Sequence, residues 1–265
     1  MPDQLLRCIP SSSNGATVLT LEGLLHGRTW RPLATIQPDV RVSARDTLNL
    51  DIFAPRLTWQ THTRTPSLLS LKGGNGGLRL STIVSVHSHD MLRIETRLTV
   101  RRPVRLELAR DLLHLADIPI TRVWSPLQTP LPEMIVGDFA FHTPLAAIET
   151  PNACLAIIPN LRLLTAHRRV PTALSCDLPS RQFAYGCVPY HLLRDTYCVH
   201  YDTDSVELHG VLVYAYFLYF QNDCKPGTGL RRAVHRVWQL YAVTRALQAA
   251  PQRRPFEEPV SYTHL

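Results

Sequence analysis

Glycoside hydrolysis needs two carboxylates held across a scissile bond, one to protonate the leaving group and one to attack or to activate water. Glu133, Asp138, Glu149, Asp177, Asp195, Asp202 and Asp204 are available, but nothing in their spacing pairs any two of them. Asp138 stands out because a proline-rich stretch meets a strand there, with Trp124 and His142 flanking the same region. An aromatic face, a carboxylate and an imidazole on one loop suit sugar recognition, since the ring stacks on the C–H face of a sugar and the polar groups fix its hydroxyls. Trp124, Asp138 and His142 are therefore the expected carbohydrate contacts. A Trp plugging a sheet edge and an Asp capping a turn would use the same residues without a ligand. No residue is assigned a catalytic role.

Other constellations read as structure. His87 and His89 would share one face of a strand, but a metal centre needs a third ligand and Asp90 projects the other way on an ideal strand. Triad members are almost never sequence neighbours, so Ser88 among these residues marks a polar turn between strands. Gly73-Gly74-Asn75-Gly76-Gly77 lacks the G-x-x-x-x-G-K-[ST] pattern and no helix follows it, so Lys72–Gly77 is expected to be a flexible hairpin loop rather than a phosphate cradle. G-x-S-x-G, H-E-x-x-H and G-x-G-x-x-G are absent. The sequence implies no metal and no cofactor. None of the six cysteines forms a C-x-x-C pair, and reduced, partly buried thiols are expected.

Charge and hydropathy narrow the function classes. The net charge is +7, from 28 basic and 21 acidic residues, and only Lys72 and Lys225 are lysines. The arginines are scattered, in pairs such as Arg101–Arg102 and Arg231–Arg232, as on a solvated surface; no nucleic-acid partner is expected. The longest apolar run, Val211–Phe220, has ten residues, about half of what a membrane helix requires. Met1 to Pro10 shows no basic segment followed by a sustained apolar stretch, so a cytoplasmic chain with no membrane partner is expected. With 45% apolar and 18% charged residues, the chain is too apolar for general disorder.

The elements that must hold these residues are mostly strands. Leu92, Ile94, Thr96, Leu98 and Val100 alternate with Arg93, Glu95, Arg97, Thr99 and Arg101, the signature of a half-buried antiparallel strand. Past Pro103 the pattern resumes with Val104, Leu106 and Leu108 facing inward. Prolines at 119, 126, 130 and 132 predict a surface excursion over 119–138, and a second proline-containing stretch covers 159–180. Thr150-Pro151-Asn152-Ala153 predicts a hairpin turn, and Val211–Phe220 a central strand buried on both faces. Leu230, Val234, Val237, Trp238, Tyr241 and Ala242 recur at helical spacing, giving one amphipathic helix before Pro251. The expected organisation is an extension over 1–15, a β-sandwich over 16–222, a linker loop and helix over 223–250, and a tail over 251–265.

From about Pro130 onward three segments resemble a known family. They are Val136-Gly137-Asp138-Phe139-Ala140-Phe141-His142-Thr143-Pro144, the strand end Ala156-Ile157-Ile158-Pro159-Asn160-Leu161, and the aromatic strand Tyr214–Phe220 with its following loop and the Arg231–Tyr241 helix. Together they resemble the N-terminal β-supersandwich domain of bacterial six-hairpin (α/α toroid) glycosidase- and lyase-like proteins. The resemblance implies a large antiparallel supersandwich leading, through a linker helix, into a toroid that holds the catalytic carboxylates. Val260-Ser261-Tyr262-Thr263-His264-Leu265 resembles a translated adapter of metagenomic reading frames, which implies a natural chain continuing past about residue 259. The expectation is a non-catalytic domain of a carbohydrate-active enzyme, supporting a site completed by a missing helical domain packed on the 230–250 helix. A free-standing carbohydrate-binding or structural β-module and a small hydrolase built on the 119–146 loops are the alternatives.

Overall fold

The computed structural model describes residues 4–13, 16–26, 29–45, 51–53, 57–65, 67–75, 77–124, 133–136, 145–160, 163, 172–177, 180–187 and 206–248. In chain order the first strands are β1 (Leu6–Ser13), β2 (Ala16–Leu25), β3 (Thr29–Arg45), β4 (Asp51–Phe53), β5 (Trp59–Arg64), β6 (Leu68–Asn75), β7 (Leu78–Ser88), β8 (Met91–Val100) and β9 (Val104–Leu115). Then come β10 (Arg122–Trp124), β11 (Glu133–Val136), β12 (Ala146–Glu149), β13 (Ala153–Pro159), β14 (Thr172–Asp177), β15 (Gln182–Cys187), β16 (Val206–Leu208) and β17 (Val211–Asn222), followed by helix α1 (Gly229–Gln248). The fold is a mainly-β antiparallel sandwich with one C-terminal helix, as the strand periodicities imply.

The pairings resolve into two layers. One runs β1–β2–β3–β9–β15–β14–β11, with β16 beside the start of β9 and β4 beside the end of β3. The other runs β5–β6–β7–β8–β17–β13–β12–β10. A single pairing, Thr17 opposite Trp59, joins them at one corner, so the sheet curls over on itself. Arg101-Arg102-Pro103 carries the chain from β8 in the second layer to β9 in the first, where a residue without an N–H interrupts no ladder. Between the layers lie Leu19, Leu21, Ile36 and Leu113 from the first and Trp59, Ile94, Leu98 and Tyr216 from the second, all fully buried. Each large apolar side chain so removed from water contributes about 1.5–3 kcal/mol.

The aromatic and β-branched run Val211–Phe220 fills the centre of the second layer, between β8 and β13. Its even-numbered residues Leu212 to Phe220 face the first layer, while Phe217 and Tyr219 face outward. Helix α1 covers that outer face, seating Ala233 and Val237 on Ala147, Cys154, Ala156, Ile158 and Phe217. The Tyr241 hydroxyl donates to the Pro159 carbonyl at 2.7 Å. The helix's apolar stripe is thus turned onto the sheet; Trp238, expected within it, is instead 54% exposed.

Several local expectations are corrected. The Lys72–Gly77 segment is not a loop up to Asn75: β6 runs through Gly73 and Gly74 to Asn75, which pairs with Leu78 at the start of β7. A Cβ at Gly73 would lie 1.9 Å from the Thr58 carbonyl oxygen, so glycine is what lets the chain ahead of β5 lie down on β6. Strands β10 and β11 interrupt the 119–138 stretch read as an excursion, and β14 lies in the second proline-containing stretch. Leu108 is buried as expected, but it stands outside the cluster between the layers. Arg41 pairs with Leu108 and Val42 with Leu106, so Glu107 is an extra residue on β9, a bulge that inverts the in/out phase and turns Ala109, Asp111 and Leu113 inward. The Thr150–Ala153 turn forms as expected, with the Thr150 N–H donating to the Ala153 carbonyl at 2.8 Å.

Candidate functional site

The buried acids come first, because a carboxylate out of water must have partners. The β9 bulge places Asp111, fully buried, between the layers. Its Oδ1 accepts from the Tyr214 hydroxyl at 2.9 Å, and its Oδ2 from Thr96 at 3.1 Å and Tyr216 at 3.2 Å. Thr96 contacts Thr82 at 2.9 Å, and the Trp59 indole N–H donates to Thr82 at 3.0 Å. The indole can only donate and Thr96 donates to the carboxylate, so Thr82 must donate to Thr96; the protons of the whole chain point toward Asp111. Burial raises the Asp111 pKa to about 6, against the three hydroxyls that hold it down. Burial also pushes the Tyr214 and Tyr216 hydroxyls well above their usual range, with the Asp111 carboxylate adding to the rise. Tyr185, opposite Asp111 on β15, packs edge-on against both tyrosine rings.

Two other acids fasten α1. Glu149, 1% exposed at the end of β12, accepts from the backbone N–H groups of Gly227 at 2.9 Å, Gly229 at 2.8 Å and Leu230 at 3.2 Å. The first turn of α1 carries no acid of its own, so Glu149 supplies the charge that complements the helix N-terminus. Asp90 accepts two N–H groups of Arg236 and the Ser88 hydroxyl, the latter at 2.6 Å. The sequence places Asp90 only in a polar turn; residues 89–90 do make that turn, and Asp90 also anchors the helix.

Two concavities on the described surface bear on function. One, about 530 Å³, runs between α1 and the end of β17 and contains His89, Asp90, Asp223, Arg232 and His235. Its acids are engaged: Asp90 by Arg236, and Asp223 by His26 at 3.2 Å. The other, about 640 Å³, opens on the outer face of β5–β8 and is lined by Gln60, Lys72, Gly74, Arg79, Ser81, Thr99 and Arg101, with no carboxylate and no aromatic ring. This cleft is the candidate binding site. The outward side of β8 was legible as a polar face; Lys72 and Arg79 join it only through the register of β6 and β7, which no spacing in the sequence reveals.

Of the three expected sugar contacts, only Trp124 falls among the described residues. Trp124 ends β10 opposite Ala147, while Asp138 and His142 lie outside the described residues. Among the seven acids weighed, register places Glu133 opposite Asp177 across β11 and β14, a pairing that their separation in sequence hides. Asp195, Asp202 and Asp204 lie outside the described residues. The thiols Cys8, Cys154, Cys187 and Cys224 are buried and unbridged. Burial raises the Cys8 pKa to about 12 and that of Cys224 to about 11, and pushes Cys154 up as well, so none of these three supplies a thiolate. Among the described residues no His, Cys, Asp and Glu cluster could hold a metal ion, and no helix is long and apolar enough to cross a membrane. No family model and no curated protein matches this chain.

Proposed function

We propose that this chain is the non-catalytic β-sandwich domain of a carbohydrate-active enzyme of the glycoside hydrolase or polysaccharide lyase type, supporting an active site that a separate helical domain completes. One observation carries this reading: the acids buried in the sandwich hold the fold together. Asp111 ties the two layers, Glu149 caps α1, and Asp90 grips Arg236. Neither described concavity presents two unengaged carboxylates, the minimum for glycosidic bond cleavage.

The chain alone should therefore release no reducing ends or unsaturated products from a panel of neutral and acidic polysaccharides. The same panel should be cleaved by the chain joined to the residues that natively follow it. Cleavage by the chain alone, abolished by Glu133→Gln, Asp177→Asn or Asp138→Ala, would replace this reading with that of a small hydrolase.

A further inference from the structure

We propose that the outer face of β5–β8 binds an acidic polysaccharide chain through a lattice of four cations, Lys72, Arg79, Arg97 and Arg101. The lattice follows from register. Lys72 is opposite Ser81, and Ser81 opposite Arg97; Gly74 is opposite Arg79, and Arg79 opposite Thr99. All four cations are exposed and project outward, because their neighbours Leu71, Leu78, Leu80, Leu98 and Val100 face the core. Strand spacing sets nearest cations about 7–10 Å apart, with the hydroxyls of Ser81 and Thr99 between them. None of the four forms an ion pair among the described residues; the nearby acid of β8, Glu95, is held by Arg93.

Gathering like charges on one face costs stability unless something anionic offsets it. Gly73 and Gly74 line the cleft and bring the backbone of β6 to its surface. With no aromatic ring in the lining, neither a base nor the apolar face of a neutral sugar finds a stacking surface. What remains is recognition of regularly spaced carboxylates by guanidinium and ammonium groups, with hydroxyl and amide groups for the sugar oxygens. The choice of a glycan over other polyanions rests on the carbohydrate reading above.

The test is titration of the full chain with an oligogalacturonate, its methyl ester and a single-stranded DNA of similar charge. The expected result is that the acid form binds, the ester binds at least tenfold more weakly, and affinity falls steeply with added salt. The triple variant Arg79→Gln/Arg97→Gln/Arg101→Gln, shown folded by a thermal midpoint no lower than that of the wild type, should lose at least tenfold, and the remote Arg31→Gln should not. If the triple variant does not fold, Lys72→Gln and Arg97→Gln singly should each weaken binding several-fold. Equal binding of acid and ester, or no effect of these variants, overturns the cleft while leaving the carbohydrate reading standing. Tighter binding of DNA than of the glycan overturns both. No binding of the acid form overturns the proposal.

Discussion

Replacing Asp111 by asparagine separates the charge of the buried carboxylate from its shape. The folded carboxyl titrates near 6 and an ordinary one near 3.8, so the folded state binds more protons within that window. Stability from this group is therefore fully present below about pH 3.8 and is lost as pH rises through about 6. At about 1.36 kcal/mol per pH unit, the full swing is ~3 kcal/mol. The substituted amide has no such swing, but it brings two N–H donors to a site where Tyr214, Tyr216 and Thr96 already donate. One hydroxyl is left without an acceptor, at about 1–3 kcal/mol. Near neutral pH the gain and the loss nearly cancel, and Asp111→Asn should be close to wild type; at pH 4 it should be less stable by about 2–3 kcal/mol. Urea unfolding of both proteins from pH 4 to 7.5 measures the difference directly, since the other acids are common to both. A stability difference that stays constant within about 1 kcal/mol across that range would refute the reasoning.

Three further perturbations test the frame. Glu149→Gln should cost about 2 kcal/mol and lower the helical signal before the β signal on heating, because it removes the charge facing three N–H groups at the start of α1. Gly73→Ala should destabilise by more than about 3 kcal/mol, read as a fall in the urea midpoint, since its Cβ would meet backbone rather than a movable side chain. Cys8 should resist an aromatic disulfide reagent at pH 8 in the native protein and react in urea, because burial lifts its pKa to about 12.

Period-two reading recovers a strand where one face is wet. β8 shows this: Leu92 to Val100 are buried at alternate positions and the arginines between them are not. It recovers β17 as a central strand because ten consecutive apolar residues leave no wet face. It fails on β9 because one bulged residue, Glu107, inverts the phase, and the carboxylate at 111 then lands in the core among residues that continue no simple alternation. The helix was legible from its spacing, yet the side chains that touch the sheet were set by what the sheet offers: small Ala233 fits close against β12 and β13, and bulky Trp238 is left at the rim. The cationic lattice was half legible, as one face of β8; the other half needed strands whose glycines read as a loop.

The position of β17 also bears on how the protein is made. It is the last strand among the described residues and occupies the central slot of its layer, so β8 and β13 have no mutual pairing until it arrives. A chain growing from its N-terminus exposes two open sheet edges, and Asp111 lacks two of its three hydroxyl donors, until residues 214–216 emerge. Closure then joins residues 103 and 105 positions apart, so folding of the sandwich waits for β17, and a product stopped short of Val211 is a template for edge-to-edge aggregation rather than a smaller stable domain.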